Sequence, residues 1–255
     1  MFTRVKTQSE LAAMRESGRM LASVLSLLER RAEPDITTQE LAKLAAREVK
    51  ALGGDAPFLG YGGPTPFPDV ICISLNDQVV HGIPGEREIR EGDIVSLDFG
   101  VKYRGMITDS ALSVIAGKPQ DPRHVELVEY TEKAMQAGIN VVRDGIRTGD
   151  IGAAIEIVLN RKRYGIVRDL VGHGVGHEIH EEPNIPNYGR PGSGSELHAG
   201  MTIAIEPMAT LGGDGVYIDR DGWTILTRDG SWAAHFEHTV LITDEGAEIL
   251  TARVT

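Results

Sequence analysis

The segment Gly92–Gly117, GDIVSLDFGVKYRGMITDSALSVIAG, decides the fold class. Two β-rich arms flank Tyr103-Arg104-Gly105, which predicts a hairpin. In its first arm Ile94, Ser96 and Asp98 alternate with Val95, Leu97 and Phe99, so Asp98 projects from the face opposite Leu97. Asp109 stands on the facing arm, where cross-strand neighbours come within about 5 Å. Asp98 has apolar residues on both sides, and a buried carboxylate is costly unless a cation, a donor or solvent meets it.

Helical patterns precede and follow this hairpin. Leu11, Met14, Leu21, Val24, Leu25 and Leu28 recur at helical spacing and predict an amphipathic helix over roughly 8 to 31. A second helix, capped by Thr37 or Thr38, carries Leu41, Leu44, Ala45 and Val49 on one face and stops at Gly53-Gly54. The Pro- and Gly-rich stretch Ala56–Asp69 predicts a shaped loop, long enough to have a function. VICISLNDQVVHGIPG then predicts a strand, a turn at Asn76-Asp77 and a short strand ending near His81. Beyond the hairpin the helical patterns resume, one marked by Val125, Leu127, Val128, Ala134 and Ile139 and another in GIRTGDIGAAIEIVLNRKRYG. Ile36, Thr38, Leu41 and Ala45 of the first half have counterparts in Ile146, Thr148, Ile151 and Ile155. This predicts an α+β fold of two related halves, about 1–120 and 121–255, meeting along a seam where a site would draw residues from both.

The chain has 255 residues, 41% of them hydrophobic, enough for a substantial core. A net charge of -11 argues against a sequence-independent grip on phosphate backbones, so no nucleic-acid partner is expected. Cys72 is the single cysteine, which excludes a disulfide framework or a thiolate metal cage within one chain. Charge interrupts the N-terminal segment, and no stretch has the apolar length of a membrane span. A cytoplasmic protein is the expectation.

The densest chemistry lies in VGHGVGHEIHEEPN, Val171–Asn184. His177-Glu178-Ile179-His180 is one residue short of the zincin helix motif, and Gly172, Gly174 and Gly176 would each cost a helix about 1 kcal/mol. A bent strand or loop remains. Simple alternation puts His173 and His177 on one side and His180 on the other, unless the chain bends near Gly176. Elsewhere, Glu206 lies in MTIAIEPMA and Glu237 in AAHFEHTVLIT, both among apolar residues. Two Asp, two Glu and a Gly-framed His make an oxygen-rich set with too much negative charge for one zinc, and they suit a pair of divalent ions.

Taken together, SLNDQVVHGIPG, GDIVSLDFG, TDSA, GHGVGHEIHEEPNIPNYG, TIAIEPM and DGWTILTRDGSWAAHFEHTVLIT resemble the type I methionine aminopeptidases over essentially the whole chain. The resemblance implies the pita-bread fold: two pseudo-symmetric α+β halves with a central antiparallel sheet covered by helices. It implies one catalytic domain over residues 1–255, without an N-terminal extension domain. It implies a dinuclear site on Asp98, Asp109, His173, Glu206 and Glu237, with Asp109 and Glu237 bridging two ions drawn from Mn, Fe, Co or Zn. A metal-bridged hydroxide would attack the first peptide carbonyl, with Glu206 relaying the proton. His81 would contact the scissile nitrogen and His180 the substrate carbonyl oxygen, leaving His177 a bystander. Phe67, Cys72 and Trp223, with Tyr61 and Ile179, would wall a pocket for the methionine side chain, although Cys72 also reads as ordinary core.

The implied substrate is the initiator methionine of nascent chains with a small second residue. A monomer is expected, and the ribosome's exit region is an implied partner. Met106-Ile107-Thr108, Pro64 and His235 depart from the family pattern and bear on specificity rather than reaction class. Two alternatives stay open at this level: an Xaa-Pro peptidase of the same fold, and a non-catalytic binding module.

Overall fold

The computed structural model describes residues 2–253. Four helices, α1 (Gln8–Arg31), α2 (Thr38–Leu52), α3 (Pro122–Asn140) and α4 (Thr148–Asn160), cover a curled antiparallel sheet. The strands before α3 are β1 (Cys72–Leu75), β2 (Gln78–Val80), β3 (Ile94–Tyr103) and β4 (Met106–Ile115). After α4 come β5 (Gly165–Ile166), β6 (Gly172–Gly174), β7 (Glu181–Ile185), β8 (Thr202–Ile205) and β9 (Met208–Thr210). The last are β10 (Val216–Ile218), β11 (Ile225–Thr227), β12 (Ala233–His235), β13 (Glu237–Ile242) and β14 (Ala247–Ile249). The main sheet runs β1-β3-β4-β13-β8-β6-β7, with β14 on β13, and two three-stranded sheets, β10-β11-β2 and β12-β9-β5, stand beside it.

Local chemistry explains the helix ends. Thr7 and Thr37 each cap a helix in a capping box: their hydroxyls accept the N–H of Glu10 and Glu40, whose carboxylates accept the threonine N–H in return. Gly53, at φ +84°, closes α2 by donating to the Lys50 carbonyl, a left-handed conformation that costs glycine little. The apolar faces then enter one core, in which Leu21, Leu25, Leu28 and Leu41 pack with Ile73, Leu97 and Phe99.

The halves repeat their backbone locks. Ile89 N–H donates to Ile36 O at 2.9 Å as Leu197 N–H does to Ile146 O at 2.8 Å. Thr38 N–H reaches Arg87 O at 3.1 Å, and Thr148 N–H reaches Ser195 O at 3.0 Å. Past each helix the sheet edge matches too, with Asn76 N–H on Ile94 O at 3.0 Å and Val175 N–H on Thr202 O at 3.1 Å.

Two pairings refine the sequence reading. β1 and β2 do not pair as a hairpin: β1 joins β3, with Cys72 opposite Asp98, while β2 joins β11, with Val80 opposite Ile225. Asn76 explains the parting. It sits at φ +60°, and its side chain bonds Asp93 and the Ile94 N–H, turning the chain from one sheet into the other. Asp98 and Asp109 are not direct partners either. Asp98 faces Ala111 and Asp109 faces Gly100, so the carboxylates share a face diagonally.

Candidate metal and peptide site

The sheet register assembles the acidic cluster. Asp98, Ala111 and Glu237 stand in one row across β3, β4 and β13, and directly opposed residues share a face. The small Ala111 leaves the space between the two carboxylates open. Asp109 lies two positions along β4, and ligand atoms of Asp109, His173 and Glu237 all fall within 4.8 Å of one another. Glu206 sits one residue past β8, where its Oε1 is 3.3 Å from His173 Nε2. The five proposed ligands therefore line one cavity of about 140 Å³, close to the ~150 Å³ of a void that takes a benzene-sized ligand.

Electrostatics shows that this cluster lacks a counter-charge of its own. Among the described residues, no Lys or Arg lines the cavity. Burial first, and then mutual repulsion, raises the Asp98, Glu206 and Glu237 carboxyls well above the usual range, and burial raises Asp109. Asp98 Oδ1 and Glu237 Oε1 are buried without a hydrogen-bond partner. His173 is the most telling. Its Nδ1 lies 2.9 Å from the Gly174 carbonyl, which can only accept, so Nδ1 carries the proton and Nε2 presents a lone pair. Burial pushes this ring down to about 3, so it stays neutral, and its lone pair meets a carboxylate oxygen. A ring lone pair facing a carboxyl oxygen in a buried site calls for a proton or a metal ion between them, and one imidazole with four carboxylates is a donor set suited to divalent metal.

The three histidines of Val171–Asn184 part company at Gly176, whose φ is +148°. The bend, the exception the sequence left open, brings His173 and His180 to the same side, with ring centroids 4.4 Å apart. His177 turns away. Its Nε2 lies 2.7 Å from Glu10 Oε1 and its N–H donates to Glu181, so it ties the start of α1 to this loop. His81 follows β2 at φ +59° and lines the cavity; burial, then His180, lowers it to about 4.

Tyr61, Phe67, Cys72, Ile179 and Trp223 all line the same cavity. Phe67 and Trp223 meet edge to face at 5.3 Å. The sequence reading missed Phe58, Val80, Leu170, Val171 and Met208, which complete the lining. Their signal was proximity: Phe58 lies in the shaped loop, Leu170-Val171 lead into Gly172, and Met208 follows Glu206 by two. The departures also find places. Met106 packs against α1, Ile107 joins the apolar cluster around Phe67, and Thr108 Oγ1 pairs with Ser17 Oγ at 2.9 Å. His235 is buried with its Nε2 3.6 Å from Glu206 Oε2, too far for a hydrogen bond.

Residues 12–244 match the metallopeptidase family M24. Methionine aminopeptidase 1 of Bacillus subtilis is 42% identical over 246 residues, covering 96% of this chain and 98% of the relative. The methionine aminopeptidase of Clostridium acetobutylicum is 42% identical over 97% of this chain and 98% of its own. The crystal structure of methionine aminopeptidase from Thermotoga maritima superposes with a TM-score of 0.95 at 43% identity, covering 99% of this chain and 100% of that one. The prolidase from Pyrococcus furiosus, at 23% identity and a TM-score of 0.78, shares the fold over 98% of this chain and 66% of its own.

Proposed function

The chain belongs to metallopeptidase family M24, and from that premise we propose how its buried acidic cluster releases N-terminal methionine. It acts as a methionyl aminopeptidase, a metal-dependent hydrolase of polypeptides that begin with methionine. Asp98, Asp109, His173, Glu206 and Glu237 would hold two divalent ions. The lone pair of His173 directed at Glu206 Oε1 is the observation that carries this assignment. Mn, Fe, Co and Zn all suit such a set.

Bound there, divalent cations supply Lewis-acid charge to water and to the scissile carbonyl. Glu206 accepts a proton as water adds to the carbonyl carbon, and returns it to the amine nitrogen as the C–N bond breaks. His180, neutral because burial lowers its basicity, offers a hydrogen bond to the carbonyl oxygen as charge develops there. His81, also neutral, faces the departing nitrogen. The cavity wall of Phe58, Phe67, Cys72, Ile179 and Trp223 takes the thioether side chain and excludes water from it. Such a wall separates side chains by about 1–3 kcal/mol per methylene, so norleucine also enters.

We further propose that one catalytic domain spans the chain, that it works as a cytoplasmic monomer near the ribosome's exit, and that its substrates are nascent chains with a small second residue. The decisive experiment titrates chelator-stripped protein with Mn, Fe(II), Co and Zn on a Met-Ala-Ser peptide while bound metal is counted. Methionine release that rises as up to two ions bind, without cleavage of a matched Xaa-Pro peptide, is expected. Two bound ions with no methionine release would overturn the substrate, and no specific binding would overturn the site.

A further inference from the structure

Tyr61 does more than wall the pocket. Its hydroxyl oxygen lies 2.6 Å from Nδ1 of His180, and among the described residues it is the hydrogen-bond partner of that ring. The two rings meet edge to face with centroids 5.2 Å apart.

The loop around Tyr61 is built to hold this contact. Gly60 and Gly62, on either side, have φ of +81° and +99°, conformations that other residues rarely adopt. A Cβ at Gly62 would strike the indole of Trp223, so the loop lies directly on that ring. Tyr61 N–H donates to the Phe58 carbonyl at 2.9 Å, Phe67 N–H donates to the Tyr61 carbonyl at 2.7 Å, and Trp223 Nε1–H donates to Thr65 O at 3.0 Å. The tyrosine backbone is thus fixed from both sides, and the hydroxyl is delivered to one atom of one histidine.

A neutral imidazole carries one donor and one acceptor, so fixing Nδ1 fixes Nε2. If Nδ1 carried the proton, Nε2 would present a lone pair to a cavity lined by four carboxylates and to the developing oxyanion. If the phenol donates to Nδ1, Nε2 presents an N–H instead. Resting on the function proposed above, we propose that the Tyr61 hydroxyl donates to Nδ1 and locks His180 in the tautomer whose Nε2–H faces the substrate carbonyl. Tyr61 is then a positioning residue for His180. Burial raises the Tyr61 phenol, which keeps it a donor.

The test is spectroscopic and kinetic. Metal-free protein carrying ¹⁵N-labelled histidine, with the His180 signals assigned from their loss in His180→Gln, should show an unprotonated Nδ1 and a protonated Nε2. Tyr61→Phe should convert these to a mixture of tautomers. A protonated Nδ1 in the wild-type protein, or a His180 spectrum unchanged in Tyr61→Phe, would overturn the proposal. In the metal-loaded enzyme, Tyr61→Phe should lower kcat on Met-Ala-Ser on the order of tenfold with KM within about twofold. A raised KM at unchanged kcat would reduce Tyr61 to pocket wall and overturn it too. Wild-type protein that releases no methionine would count against the function, whereas the nitrogen signals decide the tautomer independently.

Discussion

The two halves of the molecule share a backbone and differ in what they hang on it. Ile36, Thr38 and Asn76 of the first half make the same backbone bonds as Ile146, Thr148 and Val175 of the second. From Ile94 the chain runs four residues to Asp98, and from Thr202 four residues to Glu206. There the likeness ends. β3 continues to Tyr103 and folds back through β4, which adds Asp109, whereas β8 stops at Ile205 before Pro207. The first half therefore offers two carboxylates from one hairpin. The second offers an imidazole from β6, one carboxylate past β8 and another from β13. Backbone bonds tolerate any side chain, so the frame repeats; the ligands face the seam, where chemistry sets each residue.

The comparison breaks most visibly at its seam. Asp109→Asn should lower kcat by about three orders of magnitude or more and weaken metal binding, because it removes a proposed ligand. A folded Asp109→Asn protein with ordinary turnover would remove the proposed site. His81→Ala should lower kcat about a hundredfold while metal content stays unchanged, measured by the same peptide assay alongside elemental analysis. Loss of metal from that variant would instead make His81 part of the metal site.

Removing metal should expose the repulsion directly. The cluster carboxyls are raised in the folded chain, so the folded state binds more protons than the unfolded one above about pH 4. Stripped protein should therefore lose stability as pH rises from there towards neutrality, and bound metal should abolish that loss. Thermal melts across pH, with and without metal, check the sign; flat melts would mean that the carboxylates are not confined together.

The smallest effect tests the frame. Thr37→Ala should destabilise the protein by about 1 kcal/mol, because the Thr37 side chain caps α2. Arg147 occupies the matching position before α4 with no side-chain acceptor for the helix, where Asp150 instead accepts the Arg147 N–H at 3.0 Å. Asp150→Ala should therefore cost α4 more than trimming the Arg147 stem does, and urea titrations would show a reversal if the halves were capped alike.

Much of the frame was legible because its signals are local. Leu11, Met14, Leu21, Val24, Leu25 and Leu28 recur at helical spacing, and Thr37 and Gly53 bracket α2, so both helices could be read to within a residue or so. The Gly92–Gly117 hairpin was legible for the same reason. The site was legible through unusual composition, since carboxylates flanked by Val, Leu and Phe need an explanation. What stayed hidden depended on distant partners: Asn76 sends β1 and β2 into different sheets through Asp93 and Ile94, and Leu170 and Met208 look like ordinary core residues in the chain.

The sequence by itself determined the helices and the long hairpin, and it singled out one histidine and four carboxylates as the proposed metal set, since each follows from neighbours in the chain or from the cost of burying charge. Only the tertiary structure decided the rest. It set the bend at Gly176 that turns His180 towards His173 and His177 towards Glu10, the diagonal of Asp98 and Asp109, and the meeting of Tyr61 with His180. The physical reason is that a turn of helix is stabilised by groups three or four residues apart, whereas the direction of a loop side chain is set by whichever distant surface it can bury against.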